Sequence, residues 1–174
     1  MRIIGIDPGK GGGIACIDKG FEVCDMPVFE EVVRKKKKKI FDKRGISETL
    51  KRMTKDTDEI LVYIEQQRPW PGEGVISSFT AGRGCGLLEG ILTCLNIPYV
   101  FVTAQRWQKV FGIVKTRNTK NASFAFCSAL FPTATLKTER GRILDGRSDA
   151  LLIAEYGKRL HEGQIEQTKK KKSP

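Results

Sequence analysis

Residues Met1–Gly13 read Met-Arg-Ile-Ile-Gly-Ile-Asp-Pro-Gly-Lys-Gly-Gly-Gly, and they constrain the fold more than any other stretch. Ile3, Ile4 and Ile6 make a short apolar run of the kind that is buried as a central strand, and the Pro8-Gly9 turn signal stops it directly after Asp7. Asp7 is therefore offered at a strand end. Gly9 and Gly11 to Gly13 add no side-chain bulk around its carboxylate, so a phosphate backbone or a second strand can approach closely. Two structures fit this stretch alone: a strand end that receives a ligand, and a plain hairpin whose turn begins Asp-Pro-Gly. Acids further along the chain favour the first.

A chain of 174 residues, 40% hydrophobic, suits one soluble domain with a sizeable core. Lys and Arg outnumber Asp and Glu by 31 to 20, giving a net charge of +11, and such a balance suits a polyanionic partner, nucleic acid first. Much of that excess is local, because Lys35–Lys39 and Lys169–Lys172 supply nine of the 31 cations. Five cysteines at no metal-ligand spacing and a single histidine, His161, argue against zinc and for thiols acting as small core residues in a reducing compartment. No apolar stretch reaches membrane-spanning length, and the first strand begins too early to leave room for a targeting peptide, so a cytoplasmic protein with no membrane partner is expected.

After the first strand, Gly13–Asp18 and Phe21–Met26 read as two more strands of an antiparallel meander. The segment through Lys35–Lys39 has no period that buries anything and is expected to be a solvated loop, free to touch phosphate. Ile46, Leu50 and Met53 repeat at helical spacing, and Glu59–Glu65 is a buried strand that ends, like the first, in a carboxylate. A helix between the two strands permits a right-handed crossover, which lays them parallel and puts Asp7 and Glu65 at one sheet end. A loop with Arg68-Pro69-Trp70-Pro71 leads to a helix from about Val75 to Asn96, on which Gly82, Gly86 and Gly90 line one face. Each glycine costs roughly 1 kcal/mol against alanine, so the stripe implies close approach, either by the chain's own sheet or by a second subunit. A strand over Pro98–Val102, a helical turn from Thr103, a basic loop over Lys115–Lys120, a helix over Asn121–Phe131 and a last helix from Asp145 or Ser148 to about Leu160 complete the domain. Residues 163–174 read as a disordered basic tail after a domain at 1–162.

On the last helix, Asp145 and Asp149 share a face with Leu152, Ile153, Tyr156 and Leu160. An inward carboxylate is costly unless something compensates it: an arginine such as Arg147, a capping role at the helix start, or a metal ion. Capping suits Asp145, whereas Asp149, inside the helix, suits a ligand. If this helix crosses the sheet near Asp7 and Glu65, four acids meet, and hard oxygen donors select magnesium or manganese. Two such ions about 4 Å apart activate a water and stabilise the leaving oxygen of a phosphodiester.

Ile4-Gly5-Ile6-Asp7-Pro8-Gly9, Ile64-Glu65-Gln66, the Gly82–Gly90 helix leading into the Pro98 strand, and Asp145-x-x-x-Asp149-Ala150-Leu151, in this order, resemble the RuvC-like Holliday junction resolvases of the RNase H superfamily. The resemblance implies an α/β, RNase H-like fold, a five-stranded mixed sheet flanked by helices. It implies that Asp7, Glu65, Asp145 and Asp149 are the metal-binding catalytic acids, with two magnesium ions per site, replaceable by manganese. It further implies a homodimer that nicks four-way DNA junctions symmetrically, in the cytoplasm of a bacterial cell or phage-infected host. Lys109 and Lys120 fall where the family has basic residues; with Lys115, Arg117 and Arg68 they are the expected DNA contacts. Trp70 is the nearest counterpart of the family's junction wedge, or else packs on its own loop. The rival functions are a non-catalytic junction or RNA binding protein and an actin-type ATPase; the second needs two such domains, for which the chain is too short.

Overall fold

Ile3, Ile4 and Ile6 form a buried strand, and the remaining strands of the sheet are laid down on either side of it. The computed structural model describes residues 1–33, 35–57, 59–69, 72–114 and 119–166. In chain order the elements are β1 (Arg2–Asp7), β2 (Gly13–Ile17), β3 (Phe21–Asp25), β4 (Val28–Val33), β5 (Lys36–Phe41), α1 (Lys43–Met53), β6 (Ile60–Glu65), α2 (Val75–Cys94), β7 (Tyr99–Val102), α3 (Ala104–Val110), α4 (Thr119–Leu130) and α5 (Asp145–His161). The main sheet has five strands in the order β3-β2-β1-β6-β7. β1, β2 and β3 are antiparallel neighbours, whereas β6 runs parallel to β1 and β7 parallel to β6. The expected meander, crossover and mixed sheet are all present.

Strand alternation sends side chains to two cores. Ile4, Ile6, Ile14, Val62 and Ile64 pack under α1 and α2 against Ile46, Leu50, Met53, Leu88 and Leu92. Asp42 caps α1, its carboxylate accepting from the Gly45 N–H at 2.9 Å, and burying each of the helix's three apolar side chains contributes roughly 1.5–3 kcal/mol. On the opposite face Ile3, Ala15, Ile17 and Tyr63 meet Trp107 of α3, Cys127 of α4 and the run Ala150–Ala154 of α5. Among the described residues no helix is long and apolar enough to cross a membrane.

The lysine run is a strand rather than a solvated loop. β4 and β5 form a separate two-stranded antiparallel ribbon in which Glu30 faces Lys39 and Glu31 faces Lys38. A lysine strand is tolerable here because its partner strand carries the opposite charge, and opposed charges across a ladder stabilise the pair. Lys37 Nζ reaches Glu30 at 3.0 Å.

The glycine stripe on α2 does not pack on the chain's own sheet. A Cβ on Gly82, Gly86 or Gly90 would meet nothing within 4 Å; Gly84, where a Cβ would stand 3.0 Å from the Phe41 ring, is the α2 glycine that packs. Residues 167–174, which hold most of the expected tail, lie outside the described residues.

Candidate active site

In the parallel pairing of β1 with β6, Ile6 stands opposite Ile64, so Asp7 and Glu65 each follow one residue later at the same sheet end. Ile3 and Tyr63 belong to the core under α5; two-residue alternation therefore turns Asp7 and Glu65 toward α5 as well. α5 crosses β1 at unusually short range. A Cβ on Gly5 would stand 2.2 Å from the Ala150 carbonyl oxygen, and one on Gly146 would stand 2.3 Å from the Gly11 carbonyl oxygen. Only glycine at both points lets the helix sit so low, and this places Asp145 and Asp149, in its first two turns, beside the end of β1.

Each acid is held differently. Asp7 Oδ1 accepts from the Gly9 N–H at 3.2 Å. Glu65 Oε2 accepts from Trp107 Nε1 at 2.8 Å and Oε1 from Gln67 Nε2 at 3.2 Å. Asp149 accepts from the hydroxyl of Ser123, a residue only 2% exposed, while its Oδ1 is buried with no hydrogen-bond partner. Asp145 is ion-paired with Lys120 at 2.5 Å. It is not the helix cap: Leu144 occupies that position, with Asp145 following in the first turn. Arg147 does not compensate the inward acids either, because its guanidinium forks onto Asp25 at 2.7 and 3.1 Å.

Burial and mutual repulsion raise Asp7, Glu65 and Asp149 together. Asp149 is pushed up to about 7, first by burial and then by the charges of Asp7, Glu65 and Asp145, against the Ser123 hydrogen bond. Glu65 also rises to about 7, through burial and the Asp7 charge, against its hydrogen bonds from Trp107 and Gln67. Asp7 is raised by burial and by Asp145, with the Gly9 N–H and Lys120 opposing. Charges on β1, β6 and α5 are thus linked at one place: Asp145 acts on Asp7 and Asp149, and Asp7 acts on Glu65 and Asp149.

Does this donor set fit a hard divalent cation? All four donors are carboxylates, the kind magnesium and manganese take, and a buried carboxylate oxygen without a partner is the atom such an ion or a proton would satisfy. Among the described residues no three His, Cys, Asp or Glu side chains already stand close enough to form a finished ion cage. Binding would therefore require side-chain rotation.

Of the expected DNA contacts, Lys120 lies at the acids, and its charge acts on Asp7 and Asp149 as well as on Asp145. Lys109 is exposed in the last turn of α3 and makes no ion pair with a described residue. Arg68 is exposed, with Nη2 donating to Gln66 Oε1 at 3.1 Å. Trp70, Lys115 and Arg117 lie outside the described residues. The sequence reading missed Trp107 and Ser123. Lys120, Ser123 and Cys127 share one face of α4 at helical spacing, a signal that groups Ser123 with Lys120 without saying what that face docks against; Trp107 carried no signal of its own, since an apolar face accounts for it.

The five-stranded mixed sheet with helices on both faces is a RuvC-like, RNase H-like fold. By sequence the chain matches no protein-family model and no curated protein. By structure it is similar to Thermus thermophilus RuvC in complex with a Holliday junction substrate, with a TM-score of 0.59 at 12% identity over 94% of this chain and 97% of that one. A second T. thermophilus RuvC structure gives 0.56 at 12% identity over 92% and 97%.

Proposed function

We propose that the chain is a magnesium-dependent, structure-selective endonuclease that resolves four-way DNA junctions by paired symmetric nicks. The observation that carries this reading is the partnerless, buried Oδ1 of Asp149 within reach of the charges of Asp7 and Glu65. Asp7, Glu65 and Asp149, completed by Asp145, would hold the ions. Bound magnesium supplies activation of a water and stabilisation of the leaving oxygen. The chain's own part is positioning: Trp107 and Gln67 fix the Glu65 carboxylate, the Gly9 N–H fixes Asp7, and Ser123 orients Asp149 so that one oxygen stays free. Lys120 holds Asp145 and lies where its ammonium can meet a backbone phosphate.

A homodimer suits a substrate with two-fold symmetry. Its support here is α2, whose glycine stripe faces open space and whose Val75, Ile76 and Phe79 are 84%, 83% and 70% exposed.

The test is cleavage of a labelled four-way junction, a linear duplex and a fork, with and without magnesium. Junction-selective, metal-dependent paired nicks are expected. Asp7→Asn should abolish cleavage while keeping or tightening junction binding, because it removes a charge that repels phosphate; full cleavage by that variant would end the assignment. The second reading, a non-catalytic junction or RNA binding protein, is favoured by one observation, that the acids do not form a finished cage as they stand. It predicts salt-sensitive binding with no metal-dependent nicking.

A further inference from the structure

Beside the acid cluster lies a cleft of about 220 Å³ between the glycine turn after β1, the β4–β5 ribbon and the segment leading into α5. Lys10, Lys39 and Arg142 line it, together with Asp25 and Asp145. Both acids are already neutralised, Asp25 by Arg147 and Asp145 by Lys120. The three cations are not. Glu30, directly opposite Lys39 in the ribbon, is taken by Lys37 instead, and none of Lys10, Lys39 and Arg142 makes an ion pair with a described residue. Lys10 is steadied by the Phe41 ring, its ammonium 5.7 Å from the centroid. The floor is Gly11 and Gly12, and a Cβ on Gly11 would meet nothing within 4 Å, so the turn leaves the cleft open to a bulky backbone. Three unpaired cations around a cleft whose acids are cancelled attract an anion with several spaced charges, and the cleft ends at Asp145.

We propose that Lys10, Lys39 and Arg142 bind backbone phosphates of the nucleic-acid strand that enters the acid site, and that the β4–β5 ribbon serves to hold Lys39 at this cleft. The proposal rests on the nuclease reading for its direction toward the acids. It gives the lysine strand a purpose: the acid strand β4 cancels part of the run and leaves a defined remainder facing the substrate. Backbone phosphates are read without regard to sequence, so the contact fixes register and orientation rather than specificity.

The experiment is junction binding by fluorescence anisotropy in EDTA over a series of salt concentrations, using the full chain. Each lost phosphate contact lowers the slope of log Kobs against log salt by about 0.9, so Lys10→Gln/Lys39→Gln/Arg142→Gln should lower it by roughly 3. Lys19→Gln/Lys51→Gln/Lys55→Gln, with the same charge change at the opposite end of the sheet, should leave the slope unaltered. An equal loss in both triple variants, or none in the first, overturns the proposal. If the unsubstituted chain nicks junctions and the cleft variant keeps slope and rate, the cleft is wrong and the nuclease stands. A cleft-dependent slope without nicking sinks the nuclease and supports the cleft. A chain that binds no junction even at low salt refutes both.

Discussion

Asp149→Asn should stabilise the metal-free protein, and by an amount that grows with pH. In the fold this carboxyl is raised from its ordinary 3.8 to about 7 by burial, then by the charge of Asp7. A folded value above the unfolded one means that the native state holds its proton more tightly; the resulting stability is complete below about 4 and is lost as pH rises through about 7. Between about pH 5 and about pH 8 the loss runs over roughly two units, which at 1.36 kcal/mol per unit is about 3 kcal/mol from this one group. Asparagine keeps the shape and an oxygen for the Ser123 hydroxyl but does not titrate. The gap between variant and unsubstituted chain should therefore widen by about 3 kcal/mol over that interval, equivalent to roughly 6–12 °C in Tm for a chain of this size. Urea and thermal unfolding in EDTA at the two pH values measure it. Magnesium should restore the unsubstituted chain at the higher pH and do much less for the variant. A gap that stays constant with pH would show that Asp149 carries no strained charge, and the metal-site reasoning would go with it.

Trp107→Phe removes the donor to Glu65 Oε2 from a fully buried position. It should cost about 1.5–3 kcal/mol in urea unfolding and raise the magnesium concentration needed for half-maximal nicking, with little change at saturating metal. Gly5→Ala drives a methyl group into the Ala150 carbonyl, so a loss of roughly 3 kcal/mol or more, or failure to fold, is expected from overpacking and is read by circular dichroism. Gly82→Ala meets open space instead. It should stabilise α2 by about 0.5–1 kcal/mol in the monomer yet weaken self-association in analytical ultracentrifugation if the stripe is the dimer contact. Unchanged association would remove α2 from the interface.

Period and punctuation carried most of the fold. The isoleucines before Asp7, the run ending in Glu65 and the helical spacing of Ile46, Leu50 and Met53 each bury one well-defined face, so local pattern and tertiary position agree. The ribbon escaped because lysine has little intrinsic preference for a strand; what makes Lys36–Phe41 a strand is the Glu30-Glu31 pair opposite, a tertiary partner that no window along the chain contains. The α2 glycines escaped for the opposite reason, since close approach is only one use of a small residue and the structure leaves theirs open. At the site, strand ends and helix spacing announced the acids, but hydrogen bonds from Trp107 and Ser123 depend on where α3 and α4 dock, which their own sequence does not encode.

The glycine contacts also explain why the acids stay crowded. Several half-buried carboxylates that repel one another could relax in three ways: by moving apart, by taking up protons or by binding a cation. Separating the backbones is closed, because Gly5 and Gly146 seat α5 so low on β1 that the Asp149 main chain cannot retreat without lifting the helix from the core formed by Ala150–Ala154, which leaves only side-chain rotation. Protonation is half-available near neutral pH, where Glu65 and Asp149 titrate at about 7. A divalent cation displaces those protons and removes the repulsion in one step, so metal affinity should rise with pH through the same interval in which the metal-free protein weakens. The close seating of one helix thereby converts a cost in stability into a preference for a bound cation, and that coupling requires the two pH dependences to cross the same range.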